Sequence, residues 1–99
     1  MKFGLSKEEY QEIETKLVHP LEQAGAKVWI FGSRARGDSK PFSDLDIMVE
    51  SPKDLRDEVA ALKEYFENSN FPFKIDLVEK HHFATSYLPN FEKEKILWQ

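Results

Sequence analysis

The sequence predicts an α/β chain of the α+β type, a small mixed β-sheet with helices mainly on one face. Two observations carry that expectation. Segments with apolar residues at helical spacing alternate with short β-branched and aromatic runs along the whole chain. The connections also differ in kind. The first two strand candidates are joined by about a dozen residues without a full crossover helix, which suits antiparallel pairing. The second and third are joined by a long helix, the usual sign of a right-handed parallel crossover. Ninety-nine residues leave room for one compact domain, expected to occupy 1–99.

Each element has a local reason. Ser6-Lys7-Glu8-Glu9 reads as a capping box, and Tyr10, Ile13, Leu17 and Leu21 then form one apolar stripe at helical spacing. Pro20 lacks a donor and crowds the preceding turn, so this helix is expected to kink or stop near Val18, with Gly25 its latest end. Residues 27–31 form the first strand candidate, and 32–37 a tight turn with room for one helical turn. Residues 44–50 alternate strictly: Leu45, Ile47 and Val49 face one way, Asp44, Asp46 and Met48 the other. Ser51-Pro52 is expected to open the next helix, with Ser51 as cap and Leu55, Val59, Leu62 and Phe66 as its buried stripe. Residues 73–78 form the third strand, with Ile75 and Leu77 on its apolar side and Asp76 opposite. A last helix is expected around 91–97, with Pro89-Asn90 near its start.

Composition narrows the function classes. Apolar residues make up 40% and charged residues 32%, with eight Phe, three Tyr and two Trp, a globular rather than disordered composition. With no cysteine, thiolate metal sites, disulfides and cysteine nucleophiles are excluded together. Eighteen acids against fourteen Lys and Arg argue against a broad nucleic-acid surface, since phosphate backbones demand clustered positive charge. No apolar run approaches membrane-spanning length and the first residues lack a signal-peptide apolar region, so a cytoplasmic location and no membrane association are expected.

Chemistry concentrates in three places. Gly32-Ser33-Arg34-Ala35-Arg36-Gly37 combines a backbone that can approach a ligand, a hydroxyl at a helix start, and guanidinium groups suited to phosphate oxygens. An ordinary strand-to-helix turn with solvated arginines would account for the same residues. In Ser43-Asp44-Leu45-Asp46 the two carboxylates share a strand face at roughly 6–7 Å and could converge on a hard cation such as Mg²⁺. A polar outer strand face is the plainer explanation for such a pair alone. Antiparallel pairing, however, sets Gly32 beside Asp44, and a parallel third strand brings Asp76 to the same edge. Three carboxylates and a glycine bend are thereby expected to converge, a group able to hold two metal ions about 3.5–4 Å apart for phosphoryl displacement.

Gly-Ser-x-x-Arg-Gly, a short loop, Ser-Asp-x-Asp and a later strand Asp resemble the DNA-polymerase-β-like nucleotidyltransferases. The run VWIFGSRARG…SDLDIMVE…KIDLVE resembles, within them, the minimal nucleotidyltransferase (MNT) domains. That resemblance implies the polymerase-β-like fold. It implies ATP as substrate, held at Gly32, Ser33, Arg34, Arg36, Gly37 and Ser43, and Mg²⁺, two ions, on Asp44, Asp46 and Asp76. Asp76 would also accept the proton of the attacking hydroxyl. It further implies an antitoxin that transfers AMP to a tyrosine of a helical HEPN-domain toxin, in a hetero-oligomer. Two alternatives stand beside this: transfer to a small hydroxylated molecule, and neutralisation of a partner by binding without catalysis.

Other residues admit less. His81-His82 could be ligands or acid–base groups but are expected to be surface residues in a polar turn. Tyr10, Tyr65 and Tyr87 are expected in packing or on helix surfaces. Trp29 and Phe31 share a strand face and are expected to serve the core, although a nucleobase could border them. Phe83, Phe91, Leu97 and Trp98 are either an association patch or covered within the domain.

Overall fold

The computed structural model describes residues 2–98. A four-stranded mixed sheet organises them, in the order β3-β2-β1-β4, from β1 (Lys27–Phe31), β2 (Leu45–Glu50), β3 (Ile75–Glu79) and β4 (Ile96–Leu97). β1 runs antiparallel to β2 and β4, and β2 runs parallel to β3. The helices are α1 (Lys7–Ile13), α2 (His19–Gln23), α3 (Ser33–Arg36), α4 (Arg56–Glu67) and α5 (Leu88–Glu94).

Most of the core lies on one face of the sheet. Ile13, Leu17, Val18 and Leu21 meet Val28, Ile30, Leu45, Ile47, Val49 and Leu77, with Val59 and Phe66 of α4 closing the layer. The capping box is formed as expected: the Glu9 N–H donates to Ser6 Oγ at 3.1 Å and the Ser6 N–H to Glu9 Oε1 at 2.8 Å. Helix does not stop at Val18. A π-helical turn, Glu14–Val18, carries it into α2, with Pro20 in the first turn of that segment. The wider turn shifts the hydrogen-bond register just ahead of a residue that brings no donor.

Three boundaries differ from expectation. α4 begins at Arg56 rather than at Ser51-Pro52. Asp54 Oδ1 accepts the Arg56 N–H at 3.0 Å and Glu79 Oε1 accepts the Leu55 N–H at 3.2 Å, so the helix start is satisfied further along the chain. Ser51 Oγ instead closes a bend by accepting the Lys53 N–H. The last helix ends at Glu94, and Ile96–Leu97 pairs with Trp29 and Ile30 as an edge strand. The open edge of β1 needs partners, and the Trp98 N–H extends the pairing to the Val28 carbonyl at 2.9 Å. The third strand starts at Ile75, not 73; Phe73 turns inward under the Arg34 guanidinium, 4.3 Å from its ring centroid.

The second face of the sheet is covered by the chain's tail. Phe91, 1% exposed, meets Phe31 edge-on at 5.4 Å, and Phe83 joins the same group. Met48 is fully buried on this face too, so β2 buries apolar side chains on both sides of the sheet. Glu50 receives the Trp29 indole N–H at 2.9 Å and Lys80 at 3.2 Å, while Lys95 lies over Trp29. Phe91 and Trp98 are therefore interior; Trp98 stacks on Tyr10 at 4.7 Å, and of the four tail residues only Leu97 is exposed, Phe83 being half-buried. No helix among the described residues is long and apolar enough to cross a membrane.

Candidate active site

Strand register brings the acidic residues together. Asp46 pairs with Asp76 across the parallel β2–β3 ladder and with Phe31 across the antiparallel β1–β2 ladder. Cross-strand partners share a face with backbones about 4.8 Å apart, so the two carboxylates are neighbours on the tail-covered side. Asp44, one residue ahead of β2, stands exposed at the rim. The oxygens of all three do not lie within 4.8 Å of one another. Among the described residues, the His, Asp and Glu group that meets that condition is Asp54, Glu79, His81 and His82, at the other end of β3.

Asp46 bears the electrostatic strain of this arrangement. Burial first, then the charges of Asp76 and Asp44, raise its pKa from 3.8 to about 6. Arg36 offsets this only in part. A carboxylate pressed among like charges is the donor set that a hard divalent cation relieves, so these residues fit Mg²⁺.

The glycine bend lies against the same carboxylate. Gly32 has φ +76°, and a side chain there would collide with Asp46 Oδ2. Ser33 opens α3, a single helical turn that Gly37 ends in the left-handed conformation at φ 87°. Arg36 is exposed and pairs with Asp38 and with Glu94 of α5, each at 3.1 Å.

Arg34 behaves differently from its expected place at a phosphate. It is 2% exposed and commits all five N–H donors to main-chain carbonyls. Nε and Nη2 donate to Ser43 O at 3.0 and 2.8 Å, Nη2 also to Pro41 O, and Nη1 to Phe3 O and Gly4 O. The residue before Asp44 is thus clamped through its carbonyl. Ser43 Oγ likewise serves the loop, accepting the Lys40 N–H at 2.8 Å. Gly32, Ser33, Arg36, Asp44, Asp46 and Asp76 are left at the sheet edge, while Arg34, Gly37 and Ser43 shape the loops that carry them.

Two contributors escape sequence reasoning. Glu94 reaches Arg36 from a helix 58 residues away, and the Phe3 and Gly4 carbonyls anchor Arg34 from a segment with no motif. A charged residue on a helix and a carbonyl carry no local signal. His81 and His82 are exposed, as expected, but both face the buried carboxylate of Glu79.

Comparison with known proteins identifies the family of the chain. Residues 8–98 match the family model described as a nucleotidyltransferase domain. The chain is 45% identical over 56 residues to the probable protein adenylyltransferase MntA of Haemophilus influenzae, covering 52% of this chain and 46% of that protein. It is 46% identical over 55 residues to MJ1215 of Methanocaldococcus jannaschii, also named a protein adenylyltransferase, covering 52% and 60% respectively. The matched stretch thus spans about half the length of these curated relatives. Among solved structures, a crystal structure of a toxin–antitoxin with AMP-PNP superimposes with a TM-score of 0.62 at 19% identity, over 87% of this chain and 72% of that one, a likeness of fold. With the family model covering nearly the whole chain, the protein belongs to the nucleotidyltransferase-domain family.

Proposed function

We propose that this chain transfers AMP from ATP to a hydroxyl of a partner protein, a tyrosine of a HEPN-domain toxin, and so acts as an antitoxin. The observation that carries the proposal is the Asp46–Asp76 register beside the Gly32 bend. The protein-adenylyltransferase names of the matched relatives support AMP as the group and protein as the acceptor. The HEPN partner and its tyrosine rest on the family resemblance.

In this reading Gly32 and Ser33 offer the backbone and hydroxyl that receive the β- and γ-phosphates, with Arg36 released from its exposed ion pairs to add charge. Asp44, Asp46 and Asp76 would hold Mg²⁺, which when bound neutralises charge on the triphosphate. Asp76 accepts the proton of the acceptor hydroxyl. The hydroxyl oxygen bonds to the α-phosphorus, the α–β bridging bond breaks, and pyrophosphate leaves with the electron pair. Arg36 stabilises charge on that leaving group.

Incubation of the protein and its toxin partner with α-labelled ATP and Mg²⁺ tests the proposal. Label on the partner that survives denaturation and disappears with Asp44→Asn/Asp46→Asn is the expected result. Neutralisation of the toxin by that double variant, with no label on either protein, would establish neutralisation by contact instead.

A further inference from the structure

Glu79 is an unusual carboxylate for the end of a strand. It is 7% exposed, and its carboxylate accepts the Leu55 N–H at Oε1. Two imidazoles lean over it from the turn that follows: His81 Nε2 stands 3.7 Å from Oε1 and His82 Nε2 3.8 Å from Oε2. Asp54, ahead of α4, completes the group, and one ligand atom from each of the four residues lies within 4.8 Å of the others. We infer that Asp54, Glu79, His81 and His82 form a zinc-class cation site distinct from the acidic triad.

The donor chemistry selects the ion. Two imidazole nitrogens with two carboxylate oxygens suit a borderline dication such as Zn²⁺, whereas Mg²⁺ prefers oxygen alone. Around tetrahedral zinc, ligand atoms at about 2.0–2.1 Å from the ion stand about 3.3 Å apart. The imidazole nitrogens stand 3.7 and 3.8 Å from different oxygens of Glu79, and the four ligand atoms lie within 4.8 Å of one another, so closing on the ion takes contractions of up to about 1.5 Å. The rings that must move are half-exposed and pack on each other at 4.2 Å, while Glu79 is held by burial and by the Leu55 N–H. His82 and Glu79 also line a surface hollow of about 430 Å³, an open approach for the ion. The competing cation is Arg56, whose guanidinium lies 3.5 Å from Asp54 Oδ2 in an exposed pair that zinc can displace.

The site would join the loop before α4, the end of β3 and the Lys80–His82 turn, where the tail leaves the sheet. It involves none of the residues assigned to nucleotidyl transfer, and the two readings can fail separately. The test is zinc titration of metal-stripped full-length protein, followed by calorimetry in excess Mg²⁺. A single saturable zinc per chain is expected, and His81→Ala/His82→Ala should weaken it at least about tenfold. Asp44→Asn/Asp46→Asn should leave the zinc affinity unchanged. Long-range ¹⁵N–¹H spectra of the wild-type protein give a second readout, in which both histidine rings shift on zinc addition. Histidine resonances that stay in place, or zinc affinity indifferent to the histidine pair, would overturn the inference.

Discussion

Asp46 shows how a single side chain couples folding to pH. Its folded pKa of about 6 lies above the ordinary 3.8, so between those values the native state holds a proton that the unfolded chain releases. That proton favours the fold at low pH, and the contribution fades as pH rises through about 6. Asp46→Asn should therefore unfold at a higher temperature than the wild type at about pH 8, with the advantage shrinking toward about pH 4. Circular-dichroism melts across that range check it; an equal advantage at every pH would remove proton uptake as the cause. Gly32 is bound to the same group. Gly32→Ala at φ +76° should cost about 1–3 kcal/mol in urea unfolding, and by displacing the Asp46 carboxylate it should also depress AMP transfer.

The two arginines of α3 differ in surroundings, Arg34 being buried among carbonyls and Arg36 exposed in ion pairs. Arg34 braces carbonyls of the chain start and of the 38–44 loop, so Arg34→Lys, which cannot reproduce five donors in a fork, should destabilise by at least about 2–3 kcal/mol. Arg36→Ala should leave the melting temperature near wild type while weakening nucleotide binding, measured by titration with a non-hydrolysable ATP analogue. The elements legible in the sequence are those whose cause is local. Capping at Ser6, the period-2 run of β2 and the stripe of α4 announce themselves within a few residues. β4 does not, because two residues become a strand only where β1 leaves an edge open. The start of α4 was obscured for a similar reason, its Leu55 amide being satisfied by Glu79 from another strand. Trp98, just past β4, is 5% exposed and stacked on Tyr10; Trp98→Ala should cost about 3–5 kcal/mol by denaturant unfolding.

Across the molecule, the mixed sheet converts three separated sequence positions into one edge. That juxtaposition is legible beforehand because connection length alone sets the sense of each strand pair, and the observed register places Asp76 beside Asp46. Arg34's true office is not legible, since two of its acceptors lie 31 and 30 residues away. Mg²⁺ should raise the melting temperature more at about pH 8 than at about pH 5, because at the lower pH a proton already occupies Asp46. The Arg34 brace has one more consequence. A guanidinium that fastens residues 3, 4, 41 and 43 at once welds the chain's beginning and the acidic loop into one cooperative unit of opening. Amide protons in both stretches should exchange with deuterium at matched rates, and loosening the first few residues should quicken exchange around Asp44.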